Sequence, residues 1–333
     1  MGDSSGHSND LQNKAKKIFV VLILIIFVII ICAIIIFKMY FRDLLFYPIK
    51  EMKPNEYKYK EVWIRHRNNY QPFEKSITPM DCYDRVDRKQ NINGWHFNNF
   101  PGAKTVIFYH GNAGNISHRD YIIDICEQFQ FNLLLIDYRG FGLSEGTYDQ
   151  KSICIDGIAA YLYLRQFAKA KNIIIWGESL GGAVATHVAS MYPCHCLILL
   201  STFSSLDDII YYSDYSKVLT MCGSFMAKYL VDCMPSKTKI KKVKCPIAIV
   251  HSKNDELINY KCSQIMYRAI SHDNKKMITI DGGHSSPILD VTSLNKLLDF
   301  IQVDIRTCLV PDIIKISRNL RTVASRNFEG IFY

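Results

Sequence analysis

The chain has 333 residues, of which 49% are hydrophobic and 21% charged, a balance close to that of ordinary globular domains. This composition excludes a disordered chain, a collagen-like fibre and a coiled-coil rod. Lys and Arg (40) exceed Asp and Glu (31) for a formal charge of +9, spread along the chain rather than gathered into the patch or stripe typical of nucleic-acid binding, so no nucleic-acid partner is expected.

After an N-terminal tail (1–17), Ile18 to Phe37 is an unbroken apolar run. As a helix rising 1.5 Å per residue it spans about 30 Å, the hydrocarbon thickness of a bilayer. A cleavable signal peptide has an apolar core of roughly 7–15 residues and a small-residue cleavage site, whereas this run leads into Lys38-Met39-Tyr40-Phe41. It therefore reads as a single-pass anchor with the lipid bilayer as partner. Lys14, Lys16 and Lys17 before it balance Lys38, Arg42 and Lys50 after it, so the positive-inside rule is tied. The short tail favours a cytosolic N-terminus, the type II orientation. The eleven cysteines contain no C-x-x-C pair and read mostly as small buried thiols, which leans the other way, towards a reducing compartment.

A stem (38–60), rich in Lys, Tyr and Pro, reads either as a headgroup contact or as a solvated spacer. Glu61–Arg65 and Asn91–Phe97 alternate like strands with one buried face, hence antiparallel material. From residue 105 the pattern changes to short continuous apolar runs: Thr105–Tyr109, Leu133–Ile136, Ile173–Trp176, Leu197–Leu200, Ile247–Val250 and Met277–Ile280. Such runs are strands buried on both faces. Helix-like stretches lie between them at Arg119–Gln128, Ile153–Arg165 and Gly182–Met191. The expectation is an α/β domain over 61–310, a mostly parallel, doubly wound sheet with helices on both faces and ligands beyond the carboxyl ends of its strands. An aromatic interval at about 203–244 reads as a small helical cap or as an ordinary packed helix. A basic tail (311–333) follows. No oligomeric state follows from the sequence.

The strongest chemical signal is Gly177-Glu178-Ser179-Leu180-Gly181-Gly182, a G-x-S-x-G that follows a buried strand and opens a helix. Its serine sits on a strained turn that exposes Oγ, with the Leu180 amide left free for an oxyanion. The second signal is His110-Gly111-Asn112-Ala113-Gly114-Asn115, after the first parallel strand. Asn112, and after it Ala113, is the expected second oxyanion donor, while His110 braces the loop. Asn115-Ile116-Ser117 is a sequon, but its place in this loop argues against a glycan. Asp137 and Arg139, after the next strand, read as loop-bracing residues.

A serine hydroxyl needs a base oriented by a third group. Of ten histidines, His284 follows the final strand in a glycine-flanked turn and is the expected base. Asp255, after the penultimate core strand, is the expected acid, with Glu256 and Asp207 as fallbacks. No metal or organic cofactor is implied.

HGNAGN, DYRGFGLSEG, GESLGGAVA, HSKNDELI and GGHSSP, together with one N-terminal span, resemble the membrane-anchored α/β-hydrolases of the domain-containing protein 13 group. The resemblance covers about residues 105–300. It implies the α/β-hydrolase fold, a type II single-pass protein, and a serine-hydrolase triad on Ser179, Asp255 and His284. Some related cytosolic hydrolases remove palmitoyl groups from proteins, which points to lipophilic ester or thioester substrates. One departure is that the proline often found after the acid is absent here, which leaves the acid's orientation open. The alternatives are a serine peptidase on the same fold and a non-catalytic, membrane-tethered binding protein.

Overall fold

The computed structural model describes residues 4–54, 56–65, 91–213, 217, 221, 224 and 234–301. The expected C-terminal tail and part of the expected cap (214–216, 218–220, 222, 223 and 225–233) lie outside these residues. The chain divides into two compact units, 1–46 and 47–333.

The first unit is one helix, α1 (Ser4–Leu45). Its Lys16–Ile36 stretch has a mean hydropathy of 3.9 and is, among the described residues, the one helix long and apolar enough to cross a membrane. Side chains from Ile18 to Ile31 are exposed within the protein, so no protein core accounts for their apolar character.

The second unit is built on a nine-stranded sheet. In chain order the strands of this unit are β1 (Tyr47–Pro48), β2 (Lys60–Arg65), β3 (Asn91–Phe97), β4 (Thr105–Tyr109), β5 (Ala113–Gly114), β6 (Asn132–Ile136), β7 (Ile173–Glu178), β8 (Cys196–Leu200), β9 (Ile247–Ser252), β10 (Lys275–Gly282) and β11 (Pro287–Ile288). The sheet order is β11-β10-β9-β8-β7-β4-β6-β3-β2, and β1 and β5 form a separate pair. All neighbours from β6 through β4, β7, β8 and β9 to β10 are parallel. β2–β3, β3–β6 and β10–β11 are antiparallel. The sequence expectation of a largely parallel sheet with an antiparallel flank therefore holds.

The continuous apolar runs are explained by burial on two faces. Val106 and Phe108 of β4, Leu133 and Leu135 of β6, and Ile174 and Trp176 of β7 face one layer. There they pack with Ile122, Ile123 and Ile125 of α2 (Asp120–Gln128) and with Leu294, Leu297 and Leu298 of the helix Val291–Phe300. Tyr109 points to the opposite face, where its hydroxyl donates to the Gly157 carbonyl of α3 (Gln150–Leu164) at 2.7 Å. The helix that follows β7, α4 (Leu180–Met191), packs on the same side: a Cβ on Gly157 would strike Val184. Each fully buried Ile, Leu or Phe contributes about 1.5–3 kcal/mol relative to exposure.

Two features place the site. The chain leaves β4 for β6 on one side and returns to β7 on the other, which makes the carboxyl ends of β4 and β7 a switch point where ligands bind. The register pairs Tyr109 with Gly177, so the loops after both strands begin level with one another.

The expected stem is different in the structure. Helix α1 continues past residue 38 to Leu45, and residues from Tyr47 onward join the folded body. Met52, Tyr57 and Tyr59 are half-buried against its core, and the Tyr59 ring stacks on Trp95 at 4.3 Å between centroids. These side chains are too apolar to remain a solvated spacer.

Candidate active site

Ser179 occupies the sharp turn between β7 and α4 with φ 51° and ψ −118°. A positive φ in a non-glycine residue costs on the order of 1–3 kcal/mol and persists only where surroundings enforce it. Here the Ser179 amide donates to the Leu200 carbonyl at 2.9 Å, and its carbonyl accepts from Gly182 N at 3.0 Å and from Thr202 Oγ1 at 2.7 Å. The two glycines flanking the turn are steric requirements. A Cβ on Gly181 would fall on the Tyr109 carbonyl, and one on Gly177 would fall on the Gly181 carbonyl. Leu180 is the first residue of α4, so its amide has no acceptor within the helix.

His284 follows β10 past Gly282, whose φ is 91°. Its amide donates to Glu256 Oε2 at 2.8 Å, its Nδ1 lies 2.8 Å from Asp255 Oδ2, and its Nε2 lies 3.1 Å from Ser179 Oγ. A carboxylate only accepts, so Nδ1 carries the proton and Nε2 is left to accept from the Ser179 hydroxyl. This is the arrangement a general base needs.

Asp255 is held from three directions. Oδ1 accepts from Leu257 N at 3.0 Å and from Ile258 N at 2.7 Å. Oδ2 receives His284 and also His251 Nε2 at 3.0 Å. Those two backbone donors orient the carboxylate without the proline that the family resemblance led one to look for. His251 was singled out in the sequence only as part of a motif. It is fully buried, and its Nε2 faces both Asp255 Oδ2 and the Ile258 carbonyl at 2.9 Å. Two acceptors at one nitrogen require a proton there, and the Ser263 hydroxyl meets Nδ1 at 2.5 Å. Burial opposes the charge of Asp255, but the hydrogen bonds it accepts from His251 and His284, and its electrostatic attraction to both rings, outweigh that and hold the carboxyl well below the usual range.

The fallback acids sit elsewhere. Glu256 bonds the His284 backbone rather than its ring, and Asp207, near the start of the short helix α5 (Leu206–Tyr211), pairs with Lys237 at 3.6 Å. Asn112 and Ala113 line the cavity over Ser179 together with Gly111, Ser201, His284 and the pair Arg119–Glu178. Arg119 Nε lies 3.6 Å from Glu178 Oε2 with both side chains buried. The bracing expected of the other loop residues is visible. His110 Nδ1 meets the Gly111 carbonyl at 2.7 Å, Asp137 Oδ1 accepts from Ile116 N at 2.9 Å, and Arg139 forks onto Asp156 of α3. Asn115 is fully buried with its amide donating to two carbonyls, which closes the sequon to modification in the folded chain. Among the described residues no cluster of three or more His, Cys, Asp or Glu side chains is placed to hold a metal.

Comparison with known proteins gives the same frame. A family model described as serine aminopeptidase, S33, matches residues 101–240. The uncharacterized protein R595 of Acanthamoeba polyphaga mimivirus is 33% identical over 215 residues, 59% of this chain and 72% of that protein. Alpha/beta hydrolase domain-containing protein 17C of Homo sapiens is 28% identical over 243 residues, 72% of this chain and 70% of its own length. Among solved structures, the Pyrococcus furiosus esterase Pf2001 superposes with a TM-score of 0.58 at 20% identity, covering 77% of this chain and 98% of the esterase. With the sheet order, the strained serine turn and these relatives in agreement, the chain belongs to the α/β-hydrolase family.

Proposed function

We propose that the protein is a membrane-anchored serine hydrolase that cleaves acyl esters or thioesters through an acyl-enzyme. The observation that carries this reading is the line from Ser179 Oγ to His284 Nε2 at 3.1 Å and from His284 Nδ1 to Asp255 Oδ2 at 2.8 Å. In this mechanism His284 takes the Ser179 proton as Oγ attacks the acyl carbonyl. Asp255 holds the reactive tautomer and stabilises the imidazolium. The amides of Leu180 and of Asn112 or Ala113 receive the oxyanion. His284 then returns the proton to the departing alcohol or thiol, and water, deprotonated by the same ring, releases the acid.

A hollow of about 490 Å³ beside the acid loop is lined by Ile209, Ile210, Tyr212 and Leu257 together with the polar Ser213, Asp255, Glu256 and Asn259, and its apolar side chains favour a lipophilic acyl chain. That volume is within the range of small-molecule sites. The peptidase reading has the printed description of the matching family model in its favour. Against it, the carboxylate lining the serine cavity, Glu178, faces the Arg119 guanidinium at 3.6 Å, which offsets the negative charge a substrate ammonium group would need.

The bilayer partner is assigned to Ile18–Phe37 with the N-terminus cytosolic, and protease protection in sealed microsomes tests that orientation. The activity is tested with a graded series of p-nitrophenyl esters and acyl thioesters, up to palmitoyl, beside aminoacyl p-nitroanilides. Ester or thioester turnover that rises with chain length supports the proposal. Turnover confined to the anilides favours the peptidase, and a folded chain inert towards all of them favours a binding protein.

A further inference from the structure

The segment that follows the apolar helix is bonded along its length to the loop that carries the oxyanion amides. Strand β1 pairs in parallel with β5, Tyr47 opposite Ala113 and Pro48 opposite Gly114. Tyr47 N donates to the Asn112 carbonyl at 2.9 Å and Ile49 N to the Gly114 carbonyl at 3.2 Å. In return Asn115 Nδ2 donates to the carbonyls of Ile49 at 3.0 Å and Glu51 at 2.8 Å. Lys53 N donates to Ser117 Oγ at 2.8 Å, and the Ile49 carbonyl also accepts from Gly142 N at 3.0 Å.

These bonds act on the donors themselves. A trans peptide is planar, with its carbonyl and its N–H pointing in opposite directions. Holding the Asn112 carbonyl from the Tyr47 side therefore sets the direction of the Ala113 N–H. The preceding peptide is fixed in the same way, because His110 Nδ1 holds the Gly111 carbonyl at 2.7 Å and so aims the Asn112 N–H. An oxyanion hole works because its donors are oriented before charge develops. A loop with two glycines at Gly111 and Gly114 has little stiffness of its own to supply that.

We propose that Tyr47–Lys53 is a strap that positions the oxyanion loop, acting through the Asn112 and Gly114 carbonyls. Hydrolysis thus depends on the segment that joins the apolar helix to the catalytic domain. This rests on the reading above that the Asn112 or Ala113 amide receives the oxyanion. The strap residues touch no reacting atom and are positioning residues. Sequence reading assigned them to a stem, since a two-residue pairing with a loop far along the chain leaves no periodic trace.

The test uses the full-length chain in detergent, with a short-chain p-nitrophenyl ester and a trifluoromethyl ketone that mimics the oxyanion. Ile49→Pro removes the donor to Gly114, and Asn115→Asp turns the amide that grips the strap into an acceptor facing two carbonyls. Each is expected to lower kcat by about tenfold to a hundredfold, with KM within about threefold of the parent. Ketone affinity falls with kcat, because it too depends on the oriented amides. Folded variants that keep both kcat and ketone affinity overturn the strap while leaving the serine mechanism standing. An active Ser179→Ala protein removes the mechanism and the strap with it. Should both variants misfold, hydrogen exchange on the unmodified sequence decides. A phosphonate adduct on Ser179 is expected to slow exchange at the Tyr47 and Ile49 amides, and unchanged exchange there overturns the proposal.

Discussion

Replacing Asp255 by Asn is the most informative single change, because the structure dictates how the new side chain must sit. Oδ1 accepts from Leu257 N and Ile258 N, so that position must remain the carbonyl oxygen of the asparagine. The new NH2 group then occupies the place of Oδ2, facing His284 Nδ1 at 2.8 Å and His251 Nε2 at 3.0 Å. His284 can satisfy this donor only by moving its proton from Nδ1 to Nε2, which then points at Ser179 Oγ across 3.1 Å. A protonated Nε2 cannot accept the serine proton. The same tautomer error in a serine protease costs about 10,000-fold in kcat, equivalent to about 5 kcal/mol of transition-state stabilisation. The assay is steady-state hydrolysis of a short-chain p-nitrophenyl ester, with thermal melting to show that the variant is folded. Glu256→Gln serves as the comparison. It keeps an oxygen for the His284 amide and is expected to lose less than about tenfold. An Asp255→Asn enzyme within tenfold of the parent, or a Glu256→Gln enzyme more damaged than Asp255→Asn, would refute the assignment of the acid.

Two further outcomes follow from the same geometry. Asp255 is depressed in the folded chain, so it stabilises the fold above its unfolded pKa of about 4 and that contribution is lost as pH falls through the lower folded value. Denaturant midpoints measured from pH 7 down to 3 are expected to show this acid loss in the parent and a smaller one in His251→Phe, where one of the donors to Oδ2 is gone. An identical acid dependence in Asp255→Asn would count against it. Gly181→Ala, which drives a methyl group into the Tyr109 carbonyl, is expected to destabilise by about 1–3 kcal/mol and to slow acylation of Ser179. A variant with unchanged midpoint and rate would contradict the steric account of the turn.

Much of this architecture was legible in the sequence because the physics behind it is local. Strands β4, β6, β7, β8 and β9 are buried on both faces and are apolar over most of their length, with polar residues such as Thr105, Asn132, Glu178 and His251 only at or near their ends, which makes them visible as continuous runs. Ser179 and Asp255 each stand just beyond such a run. His284 follows β10, whose burial alternates along its length although Met277–Ile280 read as a run buried on both faces, and the sheet brings those ends together. What was hidden depends on contacts between distant segments. The second histidine on Asp255 shows itself only once the carboxylate's orientation is known. That orientation comes from the backbone amides of Leu257 and Ile258, which any residue other than proline could supply. The pairing of Tyr47–Pro48 with Ala113–Gly114 is too short to impose a pattern on either partner, so the strap read as part of a stem, either a headgroup contact or a solvated spacer. The Arg119–Glu178 pair beside the serine joins the residue before α2 to the last residue of β7, and no sequence spacing marks the two as partners.

The central claim is that the Ser179 hydroxyl is an activated nucleophile, and an active-site-directed fluorophosphonate tests it most directly. Incubation of the full-length chain followed by mass spectrometry of its peptides is predicted to place one phosphonate per chain on Ser179. Ser179→Ala should abolish both the adduct and ester hydrolysis, and His284→Ala should slow both by several orders of magnitude. A folded chain that takes up no label, or a Ser179→Ala chain that still hydrolyses the ester, would contradict the account.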